Sequence, residues 1–84
     1  MRMDFFSDQL EKGIPGARAD VTGDGSKFEA VVISDSFEGE STIKRHKMVY
    51  AILNDHITSG AIHALTIKAH TAAEWEAKQG ANAS

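Results

Sequence analysis

The chain has no cysteine. No disulfide can staple it, a pattern that fits a reducing, cytoplasmic setting. Its side chains can offer no thiolate to a metal. Long hydrophobic runs are also missing. Nothing approaches the roughly 18 consecutive apolar residues that suggest a membrane span. The opening MRMDFFSDQL carries acids early and no continuous apolar core, so it does not read as a secretory signal. Positive charge is scarce too: the formal net charge is −3. Tight non-specific nucleic-acid binding draws most of its affinity from phosphate contacts, and the global balance argues against that class unless a local basic patch overrides it. The Walker A loop, H-E-x-x-H and Ser-His-Asp patterns are absent.

What is present suits one small domain. A chain of 84 residues builds a thin core with little room for a deep enzyme pocket. Over residues 3–12, Met3, Phe6 and Leu10 recur at helical spacing, and Gly13 with Pro15 beyond it stops the helix. ARADVT at 17–22 alternates as a half-buried strand does, GDGS at 23–26 makes a tight turn, and KFEAVVIS at 27–34 is the second strand. Phe28, Ala30 and Val32 share one face, Val31 and Ile33 the other, which predicts a central or well-covered strand. After a loop at 35–41, Ser41 or Thr42 caps a helix over 43–57 whose stripe is His46, Val49, Leu53 and Ile57. AIHALTIKA at 61–69 is the third strand. Thr71-Ala72-Ala73-Glu74 is a capping box that opens a short helix carrying Trp75. The domain is expected over 1–79, with 80–84 a flexible tail. A hairpin followed by a helical crossover predicts an α+β fold of order α-β-β-α-β-α, with a three-stranded mixed sheet packed by helices.

Few residues carry candidate chemistry. The carboxylate pairs Asp4/Asp8 and Glu38/Glu40 fall on a surface helix and a loop, where solvation explains them. GIPG at 13–16 matches the G-x-x-G of KH domains, but it joins a helix to a strand and reads as a helix stop. The cluster Lys44, Arg45, His46 and Lys47 spans just over one helical turn, so its members point in different directions. It is either a solvated face with His46 braced on the apolar stripe, or a surface for a partner or nucleic acid. His63 shares strand parity with Leu65 and Ile67. It is either a satisfied edge histidine or a metal ligand. His56 and His70 have no partner at ligand spacing and read as surface residues.

The stretch VTGDGSKFEAVVISDSFEGESTIKRHKMVYAIL followed by IHALTIKAHTAAEW resembles the BolA family, in its YrbA/IbaG-like branch. The resemblance covers about residues 5–76. It rests on an ordered set: F-x-G at Phe37, R-H at Arg45, V-Y at Val49, I-H-A-L at Ile62, and T-x-x-E-W at Thr71. It implies a class II KH-like fold and a non-enzymatic adaptor that pairs with a monothiol glutaredoxin and shares a [2Fe–2S] cluster, in cluster trafficking and in iron and redox stress. Glutaredoxin and glutathione would supply the thiolates, and His63 is the ligand carried over from the family motif, as histidine replaces cysteine on one iron elsewhere. No cluster is expected on this chain alone. Many relatives bring a second ligand from the loop between the first two strands. There this chain has Lys27, an ammonium that ligates poorly, and Asp24, whose carboxylate suits harder ions. The second ligand stays open, with Asp24 a weak candidate. The resemblance also implies an alternative, a DNA-binding regulator of morphology and stress genes that uses the basic cluster.

Overall fold

The computed structural model describes residues 4–24, 27–62 and 64–83, with side chains through residue 78. Helix α1 spans Asp4–Gly13, strands β1 and β2 span Arg18–Gly23 and Lys27–Ile33, helix α2 spans Thr42–Thr58, strand β3 spans Ala64–His70 and helix α3 spans Ala72–Ala83. The three-stranded sheet has the order β1-β2-β3. β1 pairs with β2 antiparallel and β2 with β3 parallel, as a connection of three residues and a helical crossover respectively require.

Alternation along the strands divides the sheet into two faces. Ala19, Val21, Phe28, Ala30, Val32, Ile67 and Ala69 are buried. They face α1 and α2, which add Leu10, Val49 and Leu53 to one core. Full burial of each large side chain contributes roughly 1.5–3 kcal/mol. Val31 and Ile33, on the other face of the central strand, are only half-buried.

Local chemistry sets the boundaries. Of the two cap candidates before α2, Ser41 serves: its Oγ accepts from Lys44 N at 3.2 Å. Gly16 adopts φ +68 just after Pro15, a conformation only glycine adopts cheaply, so the stretch after α1 is the helix stop read above. The 35–41 segment is more ordered than a plain loop. Asp35–Phe37 forms a 3₁₀ turn capped by Ser34 Oγ, which accepts from Ser36 N at 3.1 Å and donates to Pro15 O at 2.7 Å. Phe37 is fully buried there.

β3 begins at Ala64 rather than at 61. The chain first closes α2, with Ile62 N donating to His56 O at 3.1 Å, and Ile62 enters the core at 1% exposure. The capping box forms as read: Thr71 N donates to Glu74 Oε1 at 3.0 Å and Glu74 N to Thr71 Oγ1 at 3.2 Å. α3 then runs beyond residue 79 to Ala83, over a stretch with no proline to stop it. Among the described residues, no helix is long and apolar enough to cross a membrane.

Candidate functional site

Parallel pairing of β2 with β3 places Lys27 opposite Ala64 and Phe28 opposite Leu65. The hairpin loop and the start of the I-H-A-L strand therefore meet at one end of the sheet. His63 itself lies outside the described residues. Around this end, Thr22, Asp24, Lys27, Glu29 and Thr66 line an open cleft of about 370 Å³. The loop is organised around Asp24. Its N–H donates to Lys27 O at 3.1 Å and its Oδ1 accepts from Lys27 N at 2.8 Å. Gly23 permits this geometry, since a Cβ there would stand 2.6 Å from the Phe28 ring. Asp24 Oδ1 is thus committed to closing the turn. Lys27 is exposed.

A larger cleft, about 430 Å³, sits at the opposite end of the sheet, where Arg18, Asp20, Val31, Ile33 and Trp75 line it. It contains none of the candidate metal, partner or nucleic-acid residues read from the sequence.

The basic cluster at the start of α2 does not form one face. Lys44 is exposed and pairs with Glu40 at 2.9 Å, a contact worth only about 0.3–0.5 kcal/mol. Arg45 turns inward, with 12% of its side chain exposed. It donates to Glu40 O, to Ala69 O and to both carboxylate oxygens of Glu74. Its guanidinium carbon also stands 5.8 Å from the Phe37 ring centroid. The Glu74 hydrogen bond raises the Arg45 pKa, and Arg45 in turn holds the Glu74 carboxyl down at about 2. His46 is half-buried and Lys47 exposed. The structure therefore leaves Lys44 and Lys47 outward and uses Arg45 as an internal clamp.

Two histidines read as surface residues are not. His56 is half-buried, with Nε2 2.8 Å from Gln9 Oε1 and its ring edge-on to Phe6 at 4.8 Å. His70 is half-buried against Trp75 at 5.8 Å, and its Nδ1 lies 3.9 Å from Glu74 Oε1. Burial, then Lys78, pushes its pKa down. Gln9 is 47 positions from His56, so local spacing carried no signal there, while Glu74 and Trp75 stand four and five residues past His70 across a strand-to-helix junction that strand parity does not bridge. Among the described residues, no three histidine, aspartate or glutamate side chains gather as a metal site. This donor set does not fit a cluster held by the described residues alone.

Among the described residues, three α-helices around a mixed three-stranded sheet define a small α+β domain. The BolA-like protein family model matches residues 7–74, and the chain belongs to that family. It is 37% identical over 75 residues to an uncharacterized protein from the rpoN-murA intergenic region of Acinetobacter guillouiae, covering 89% of this chain and 90% of that protein. It is 44% identical over 55 residues to the acid stress protein IbaG of Escherichia coli K12, covering 66% of each. It is 39% identical over 57 residues to the DNA-binding transcriptional regulator BolA of the same strain, covering 68% of this chain and 53% of that protein. The bolA protein homologue of Coxiella burnetii superposes with a TM-score of 0.77 at 38% identity, covering 90% of this chain and 97% of the homologue.

Proposed function

We propose that this chain is a non-enzymatic adaptor that binds a monothiol glutaredoxin and lends one imidazole, His63, to a [2Fe–2S] cluster whose thiolates come from glutaredoxin and glutathione. The observation that carries the reading is the register that brings Lys27 opposite Ala64, so that the hairpin loop and the I-H-A-L segment converge at the sheet end expected to meet the cluster. Family membership supports it. So does the chain's lack of cysteine, which makes sharing with a thiol-bearing partner the only way to complete a thiolate-anchored cluster. Asp24 spends Oδ1 on Lys27 N, so the loop supports the partner surface more than it ligates. When bound, the cluster would supply redox and transfer chemistry, and the chain would orient and exchange it.

The test is a titration of this protein into cluster-loaded monothiol glutaredoxin, followed by visible circular dichroism. A saturable spectral change that disappears with His63→Ala supports the reading. An unchanged spectrum, or a change that His63→Ala leaves intact, removes it.

One observation favours a second reading, the relative whose name describes a DNA-binding transcriptional regulator. On this chain, DNA binding would rest on Lys44 and Lys47, since Arg45 is held by Glu74. Phosphate contacts predict a steep fall in affinity with salt. Failure to bind duplex DNA at low salt would eliminate this alternative.

A further inference from the structure

The two edges of the sheet are treated differently. Parallel pairing sends His70 O to Ser34 N on β2. By strand alternation, the backbone groups of residues 64, 66, 68 and 70 therefore face β2, while those of Leu65, Ile67 and Ala69 face away from it. On the other side, α1 seals the edge of β1: Glu11 Oε2 accepts from Ala19 N at 3.0 Å and Ser7 Oγ from Val21 N at 2.9 Å. On β3 the only such cap among the described residues is Arg45 Nη1 on Ala69 O, at 3.1 Å. Among the described residues, the outward N–H and C=O groups of Leu65 and Ile67 have no hydrogen-bond partner.

A free edge of this kind is a template for another strand unless something blunts it. Here the ground beside it is apolar and basic. Ile52 and His56 mark the side of α2 that meets α1. At 100° per residue, Ile43, Lys47 and Tyr50 fall on the opposite flank. α1 packs on β1 and α2 on β3, so that flank lies on the side of α2 turned away from α1 and β1. Ile43 is 70% exposed and Tyr50 42%. On the outer face of the sheet, the charged side chain that β3 presents next to this edge is Lys68, half-exposed and 3.5 Å from Glu29.

We infer that the β3 edge at Leu65 and Ile67 is a strand-addition site for an extended segment of a partner protein, with apolar and acidic side chains in alternation. Alternate side chains of an added strand point to opposite faces. One set packs under Ile43 and Tyr50, and the other faces Lys68. A second copy of this chain fits less well. Pairing about a two-fold axis at Ile67 brings Lys47 and Lys68 of both copies to one seam and sets both Arg45 side chains at the ends of the shared ladder. Strand addition goes beyond the cluster reading and does not depend on it.

The test uses the cluster-free 84-residue chain labelled with ¹⁵N and the capped peptide Val-Glu-Ile-Glu-Val. The expected result is saturable movement of the Leu65 and Ile67 amide resonances, with slowed exchange of both N–H groups. N-methylation of the peptide on the N–H groups that would face β3 weakens binding at least about tenfold, a loss of about 1.4 kcal/mol. Tyr50→Glu, which places a carboxylate beside the acidic peptide, weakens it in the same direction. The inference is overturned by no resonance movement up to millimolar peptide, by movement confined to another surface, or by equal binding of the N-methylated peptide. Slow Leu65 and Ile67 exchange in the free protein together with sedimentation as a dimer would also overturn it, assigning the edge to a second copy.

Discussion

Arg45 and Glu74 form a fork-to-fork pair, 2.7 Å from Nη1 to Oε1 and 3.1 Å from Nη2 to Oε2, that fastens the start of α2 to the first turn of α3. Glu74 Oε1 also closes the capping box on Thr71 N. A single carboxylate thus caps the start of α3 and ties it to the start of α2, while the same guanidinium holds the Ala69 carbonyl near the end of β3.

Arg45→Lys keeps the charge and loses the fork. The expected outcome is a looser α3, seen as a red shift of Trp75 fluorescence and a lower melting temperature. Wild-type fluorescence and stability in the variant would show that the fork does not hold α3.

Acid should loosen the same junction in two stages. His70 is held below its ordinary 6.5, chiefly by burial. Its contribution is complete above 6.5 and declines as pH falls below that value. Glu74 is held at about 2 against an ordinary 4.5, chiefly by Arg45. Its contribution is present above 4.5 and is lost as pH falls toward about 2. Melting temperature should therefore drop in both windows. His70→Gln flattens the upper one and Glu74→Gln the lower one. An unchanged profile in either variant contradicts the corresponding assignment.

Phe37 is fully buried and lies against the Arg45 guanidinium. Phe37→Ala should cost about 3–5 kcal/mol in urea unfolding, the usual loss for emptying an aromatic site. A loss below about 1 kcal/mol would mean that the 3₁₀ turn is not a core anchor.

Lys27 lies opposite Ala64 and is exposed beside the cleft at the hairpin end. Lys27→His puts a ring nitrogen where an ammonium stood. On the proposed function, it should tighten association with cluster-loaded glutaredoxin and change the visible spectrum further. Identical titrations for both proteins would show that the loop takes no part in the shared site.

Much of the fold was legible because its determinants are local. Helical and alternating periods gave the order of elements. The capping box spans four residues, and hairpin versus crossover connections gave the mixed sheet. The candidate site was less legible because its determinants are distant. Arg45 and Glu74 are 29 positions apart, so nothing local in the basic run showed that it resolves into an internal clamp and two outward lysines. Phe37 lay in a stretch read as loop, where no period marks a buried ring. His56 and His70 found aromatic partners on α1 and α3 that spacing along the chain does not reveal. The start of β3 moved because Ile62 fills the core before the strand begins.

The most direct measurement is pulsed EPR on the reduced assembly of glutaredoxin, glutathione, cluster and this protein, with only this chain labelled with ¹⁵N. The account predicts hyperfine coupling from a directly bound ¹⁵N nucleus that vanishes with His63→Ala. A spectrum without such coupling, or one that His63→Ala leaves unaltered, would contradict it.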